Sequence, residues 1–208
     1  MIAAAIDTSS VTSEWAMSEL VKNPSILKKA QDEIDKLVGK DRRVHEDDLP
    51  HLNYLKCIAK ETFRLHPSGP FIIPHEALKD TTISGYHIPK NTQVLVNVYA
   101  LGRNPHIWSE KLHEFWPDRW MEDKVEFRDE SLRILPFSLG RRKCPGAPLG
   151  QSMVLLALAS LIHSFDWSLP PSIDPHNLDM TEGFGLTMPR AQPLVAIATP
   201  RLPSHLYQ

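Results

Sequence analysis

The segment Phe137-Ser-Leu-Gly140-Arg-Arg142-Lys-Cys144-Pro-Gly146 sets one thiol in a glycine-spaced, cationic loop. Gly140 and Gly146 permit backbone conformations and close approaches that a Cβ would block, and Pro145 fixes the chain just after the cysteine. From Ala147 onward the run through Ile162 reads as an apolar helix. Cys144 therefore stands at a helix amino end, where unpaired N–H groups and the macrodipole favour negative charge. Arg141, Arg142 and Lys143 add cationic character, so the thiol is expected to ionise more easily than a free one. A thiolate so placed points to a bond with a metal. The plainer reading is a buried, inert cysteine beside a solvated basic run; the joint spacing of Phe, two Gly, Arg and Cys argues against it.

Two further patterns hold polar groups at chemical spacing. Glu61 and Arg64 lie in a segment, 52–65, whose residues Leu52, Leu55, Ile58, Ala59, Thr62 and Leu65 recur at roughly helical intervals, so the pair shares one helical face. Taken alone, such a pair is an ordinary surface ion pair in many chains. Near the amino end, Asp7-Thr8 sets a hydroxyl beside a carboxylate. That pair could deliver protons by general acid chemistry, and a threonine bonding back to its own helix leaves a local groove. The alternative is that Asp7 or Thr8 caps the helix running to Val21.

Phe137-x-x-Gly140-x-Arg142-x-Cys144-x-Gly146 resembles the haem-binding signature of the cytochrome P-450 superfamily, whose cysteine thiolate is the axial iron ligand. The other patterns fall in that family's order and approximate spacing. Glu61-x-x-Arg64 with Phe115-Trp-Pro117-Asp-Arg119-Trp120 resembles the segments that form a Glu-Arg-Arg triad. The resemblance implies that Glu61, Arg64 and Arg119 hold the region behind the haem and are not catalytic. Ala4-Ala5-Ile6-Asp7-Thr8-Ser9 resembles the distal-helix segment that makes room for dioxygen and relays protons to it, although the family more often has glycine at the place of Ala5. Phe71, Ile72 and Ile73 resemble a strand bordering the substrate pocket. His75 stands where a basic residue contacts a haem propionate, or is an ordinary loop histidine; Arg142 is a second candidate, through bidentate binding of a carboxylate. Gly183-Phe184-Gly185-Leu186-Thr187 resembles the C-terminal turn that dips toward substrate, with Phe184 and Leu186 as contacts unless Phe184 is core.

The resemblance implies a monooxygenase with haem b, iron protoporphyrin IX, as cofactor. One atom of dioxygen enters a C–H bond and the other leaves as water, with NADPH supplying two electrons through NADPH-cytochrome P-450 reductase. Cys144 is implied to push electron density that favours O–O cleavage. Arg141 and Lys143 either meet the acidic reductase or form a solvated basic turn. The wording Phe63-Arg-Leu-His-Pro-Ser-Gly-Pro-Phe-Ile-Ile-Pro-His-Glu76, together with Leu101-Gly-Arg-Asn-Pro105 and Lys143-Cys-Pro-Gly-Ala-Pro-Leu-Gly150, resembles plant microsomal members, and among them is most similar to in-chain hydroxylases of medium-chain fatty acids that serve pollen-wall and spore-wall synthesis. The Phe71-Ile72-Ile73 stretch suits an acyl chain, and suits a terpene or phenylpropanoid too. Such members are held at the endoplasmic reticulum membrane, on its cytosolic face, by an amino-terminal anchor. Residues 1–208 match from the middle of the family's pattern onward and read as a partial domain, from the distal oxygen-binding helix through the haem-ligand loop to the C-terminus, with the amino-terminal half and anchor absent. Two other readings are a catalytically incompetent fragment, at most a haem- or partner-binding module, and a non-haem basic-loop binding module. The last leaves the Glu-Arg-Arg set unexplained.

Positioning these groups requires a helical first part and a mixed second one. Helices are predicted at 2–22, 25–38 and 52–65, with Pro24 at a helix start and Gly39 just past an end. Strands are predicted at 71–76, 81–86 and 92–98, the last two linked by Ile88-Pro89-Lys90-Asn91 as a turn. A proline- and charge-rich stretch from Asn104 to Arg133 leads to the cysteine loop, a helix over 147–164 and short strands near 165–169 and 194–198. The fold class is mainly α with small β-sheets, by resemblance the C-terminal part of the cytochrome P-450 fold. A net charge of −2 with 42% hydrophobic residues describes a globular chain and argues against a nucleic-acid binder. Two cysteines argue against a disulfide framework, and Cys57, on the Glu61 helix, reads as a small buried hydrophobe. The longest apolar run, Met153 to Ile162, is about half the ~20 residues a membrane span needs, so it reads as a core helix.

Overall fold

Helix α1 (Ile2–Lys22) carries an unbroken α-helical backbone, with Thr8, Ser10, Thr12 and Ser18 each donating a hydroxyl to the carbonyl four residues back. The computed structural model describes residues 2–122 and 132–208, so residues 123–131 of the Asn104–Arg133 stretch lie outside the described residues. Helix α2 (Pro24–Val38) buries Leu27, Ala30, Ile34 and Val38, a three-and-four spacing that makes one apolar stripe. Pro24 occupies the first turn, where its missing N–H would be unpaired anyway. Gly39 ends the helix at φ +75°, its N–H returning to the Asp35 carbonyl at 3.0 Å.

Helix α3 (Asn53–Leu65) lies between two cores. Leu55, Ile58 and Ala59 join Ala16, Met17 and Leu20 of α1, the α2 stripe, and Val154, Leu155, Leu158 and Ile162 of a later helix in one cluster. Cys57 joins Trp108, Trp120 and Ile134 in a second. Each fully buried large aliphatic side chain contributes about 1.5–3 kcal/mol, so this arrangement fixes α3. After α3 come β1 (His75–Glu76), β2 (Thr81–Ile83), β3 (Tyr86–Ile88), β4 (Gln93–Val94) and the short α4 (Val98–Leu101).

Strand pairing differs from the sequence expectation. The 81–86 segment is not one strand: Ser84 and Gly85, at φ +49° and +85°, form a two-residue reversal that pairs β2 with β3. Positive φ at both central residues gives the twist a tight hairpin needs. β4 pairs antiparallel with β1, His75 opposite Val94, so the 81–86 and 92–98 segments are not partners across Ile88–Asn91. Of 71–76 only His75–Glu76 is strand; Phe71 makes an isolated bridge with Asn97, and the Ile72 N–H reaches Val96 at 3.0 Å. Pro70 and Pro74 supply no N–H and keep a ladder from running through this stretch.

Helix α5 (Ala147–Ser164) runs along α1, α2 and α3 and buries Val154, Leu155, Leu158, Ala159, Ile162 and His163. Among the described residues it is the one helix long and apolar enough to cross a membrane by length and composition. Its last carbonyls are closed from outside: Arg201 Nη1 donates to Ile162 and His163 at 3.0 and 3.1 Å, and the Tyr207 hydroxyl donates to Ser164. β5 (Phe165–Ser168) pairs with β6 (Ile197–Pro200), three residues later than the predicted 194–198, because Leu194 is tied to α1 through Glu14 at 2.8 Å.

Candidate functional site

Cys144 leaves the protein surface from a loop with two left-handed residues, Ser138 at φ +59° and Gly140 at φ +76°. No atom lies within 4 Å of where a Cβ on Gly140 would stand, so the demand for glycine there is conformational and not steric. The reversal brings the Cys144 N–H to the Phe137 carbonyl at 2.9 Å. Phe137 is itself held edge-on against Phe63 of α3, ring centroids 5.4 Å apart, and lies 3.7 Å from the position a Cβ on Gly150 would take. One aromatic residue thus fixes the loop to α3, to the cysteine backbone and to the first turn of α5. The cysteine is exposed, against the reading of an inert buried thiol. Arg141, Arg142 and Lys143 are exposed beside it, Arg142 closing a one-turn 3-10 helix (Gly140–Arg142).

Cys57 behaves in the opposite way. It is fully buried, and burial pushes its thiol up to about 11, so it stays protonated near neutral pH. Of the two cysteines, Cys144 is the one exposed to solvent and open to a ligand.

Glu61 and Arg64 are completely buried and form no surface ion pair. Arg64 grips the carboxylate with Nε and Nη2 at 3.0 and 2.8 Å. Its remaining N–H groups reach the carbonyls of Gly102, Leu112 and Glu114 at 2.8, 2.9 and 3.0 Å. All the donors of a guanidinium are thereby used. Arg119 adds Nε to Glu61 at 3.1 Å and gives its other nitrogens to Glu110 and Lys111. The structure therefore brings together the three residues that the resemblance singled out. It also adds two donors that no spacing revealed, the Trp116 N–H at 3.0 Å and the Trp120 indole N–H at 2.8 Å. Gly102 is required here, because a Cβ would lie 2.1 Å from the Arg64 carbonyl oxygen. The network clamps the 102–120 segment to the face of α3 that carries Cys57, and α3 in turn carries Phe63 beneath the cysteine loop.

Asp7 and Thr8 lie inside α1, which starts at Ile2, so neither is its amino-terminal cap. Thr8 Oγ1 donates to Ala4 at 2.7 Å. The Asp7 carboxylate receives the Thr187 hydroxyl at 2.7 Å, joining α1 to the 183–187 turn across the whole length of the chain. Met188 extends the junction: its carbonyl accepts from the Trp15 indole at 2.9 Å, and its N–H donates to Ser68 at 2.9 Å. Phe184 and Leu186 are wholly exposed at the turn, 108% and 91%, so Phe184 is not a core residue. Phe71 and Ile73 are exposed on the segment after Ser68, with Ile72 half-buried. His75 is exposed on β1. The α1 end, the 183–188 turn and the 68–73 segment are thus one connected region, and the cysteine loop, held on Phe63 of α3, is a second.

The sequence model of the cytochrome P-450 family matches residues 1–195. The chain is 54% identical over 213 residues to cytochrome P-450 703A2 of Oryza sativa subsp. japonica, and 54% identical over 212 residues to cytochrome P-450 703A2 of Arabidopsis thaliana. All of the chain is covered in both cases, and 40% of each relative, so it spans well under half the length of the curated relatives it matches. A solved zebra fish cytochrome P-450 with abiraterone superposes with a TM-score of 0.84 at 31% identity, over 95% of this chain and 45% of that one.

Proposed function

Since the chain belongs to the cytochrome P-450 family, we propose that residues 1–208 form the haem-ligand and oxygen-side portion of a haem-thiolate monooxygenase domain. The single observation that carries this reading is the exposed Cys144 thiol, presented by a loop whose backbone is fixed through Phe137 and Gly140 and anchored on α3 beside the buried Glu61–Arg64–Arg119 network. The donor set fits an iron porphyrin. Cys144 supplies a soft anionic ligand, the guanidinium of Arg142 and the imidazole of His75 suit its two carboxylates, and Leu149 and Met153, exposed four residues apart on α5, suit its apolar rim.

When bound, the haem would supply activation of dioxygen for insertion of one oxygen atom into a C–H bond. Cys144 would hold the iron as thiolate. Asp7 and Thr8 would hold and pass protons on the oxygen side, the Thr8 hydroxyl being tied to Ala4 and the Asp7 carboxylate to Thr187. Phe71, Ile72, Ile73, Phe184 and Leu186 would line the substrate's apolar part and exclude water from it. Electrons would come from NADPH through NADPH-cytochrome P-450 reductase, docking on the exposed Arg141 and Lys143 side. The protein would work at the cytosolic face of the endoplasmic reticulum membrane.

For substrate we propose a small hydrophobic molecule, a medium-chain fatty acid first, on the similarity of the 63–76 wording to in-chain fatty-acid hydroxylases. The full-length protein, reconstituted with reductase and NADPH under isotopically labelled dioxygen, is expected to convert a lauric-type acid to an in-chain alcohol carrying one labelled oxygen. Label arriving from water would refute monooxygenation. Turnover of a terpene or phenylpropanoid with none of the acid would refute the substrate class alone.

A further inference from the structure

The 183–189 turn is pinned at its base and carries its apolar side chains at the tip. The Gly183 N–H closes on the Pro189 carbonyl at 2.7 Å, and Met188 is held from both sides by Trp15 and Ser68. Gly185 is confined, since a Cβ there would come within 2.9 Å of the Thr187 carbonyl oxygen. Beyond this base, Phe184 and Leu186 project wholly exposed, and Thr187 Oγ1 to Asp7 Oδ2 is a second bond to α1, beside that of Trp15 to Met188 at the base. Asp7 is itself an exposed side chain on the outer part of α1. An exposed carboxylate samples several rotamers unless a partner selects one, and a hydroxyl donating to one oxygen selects it while leaving the other oxygen free.

We propose that Thr187 is a positioning residue for Asp7: its hydroxyl sets the carboxylate's orientation and latches the turn bearing Phe184 and Leu186 to the acid that handles protons. The orientation of Asp7 then depends on the turn against which a substrate would rest. This rests on the proposed oxygen-side role of Asp7, while the latch itself is a property of the protein without cofactor chemistry.

The test uses the full-length protein and the variants Thr187→Val, Thr187→Ser, Asp7→Ala and Thr187→Val with Asp7→Ala. Backbone hydrogen exchange at Gly183 and Met188, the hydrogen-bonded amides of the turn, read without substrate, is expected to rise about tenfold in Thr187→Val and equally in Asp7→Ala, with no further rise in the double variant; a hydrogen bond to a charged group is of that size. Thr187→Ser, which keeps the hydroxyl, restores slow exchange. In the reconstituted enzyme, Thr187→Val is expected to lower product formed per NADPH toward the Asp7→Ala level and to shift the pH profile of that ratio, and Thr187→Ser to restore both. Unchanged exchange in Thr187→Val, or additive rises in the double variant, overturns the latch. Faster exchange in Thr187→Val that serine reverses, with the coupling ratio and its pH profile unmoved, overturns the positioning role. Absence of a thiolate-type haem spectrum in the wild type would instead overturn the monooxygenase reading, leaving the exchange result to decide the latch.

Discussion

Replacing Glu61 by glutamine keeps its shape and removes its charge, and the structure shows what that costs. Oε1 accepts from Arg64 Nη2, the Trp116 N–H and Arg119 Nε; Oε2 accepts from Arg64 Nε and the Trp120 indole. A glutamine would turn its carbonyl to the first set and oppose its NH2 to the second, stranding two buried donors. Each stranded buried donor costs about 1–3 kcal/mol, and the Arg64 charge loses its one ionic partner in a site with no solvent access. Breaking a buried ion pair from one side costs about 3–5 kcal/mol, which lies within the sum of the two stranded donors. The expected loss for Glu61→Gln is therefore about 3–5 kcal/mol, a large part of the ~5–15 kcal/mol that holds a typical domain folded. Urea unfolding of the full-length variant beside wild type measures it. Arg64→Lys should fall in the same range, because an ammonium cannot span the carboxylate and three carbonyls. A loss below about 1 kcal/mol in Glu61→Gln would refute the reasoning, since it would mean the carboxylate is not the acceptor of these donors.

Gly102→Ala should cost more than about 2 kcal/mol, because the new methyl would meet the Arg64 main chain 2.1 Å away and neither backbone can yield without parting Arg64 from its carbonyls; an unchanged melting temperature would contradict this. Iodoacetamide at about pH 8 should label Cys144 in haem-free protein and leave Cys57 untouched until unfolding, since burial raises the Cys57 thiol to about 11; peptide mass mapping reads the outcome, and early labelling of Cys57 would contradict it. His163 donates Nε2–H to Gly39 at 2.7 Å with Nδ1 buried and unpartnered, and burial lowers its pKa against the opposing pull of that bond and of Asp35. The unfolded chain then binds the extra proton first, so its contribution is whole above about pH 6.5 and is lost as pH falls below that. His163→Gln, which keeps a donor and cannot titrate, should lose less stability than wild type between about pH 7.5 and pH 5; an equal or steeper loss would contradict the assignment.

The local rules were legible where one short segment decides the outcome. Pro24 and Gly39 bound α2 as their backbone preferences require, and Gly140 takes the left-handed conformation that its place in the cysteine loop calls for. Glu61 and Arg64 could be seen to share a helical face, but not to be buried, because burial depends on the 102–120 segment folding over them. The indole of Trp120 and the hydroxyl of Thr187 find their carboxylates at sequence separations of 59 and 180. A sequence shows which groups need partners and leaves open which distant ones answer. The strands show the same limit: with two or three residues each, β1 to β4 carry too little alternation to declare a register, and their pairing rests on the Ser84-Gly85 reversal. That dipeptide was a readable turn signal, overshadowed by the Pro89-containing segment beside it.

The most direct test of the central assignment is the spectrum of the reduced carbon monoxide complex of the full-length protein, wild type beside Cys144→Ser. Cys144 as the iron ligand predicts a thiolate-type Soret band in the wild type and its loss in the serine variant, with the fold retained by circular dichroism. A thiolate-type band that survives in Cys144→Ser would contradict the assignment.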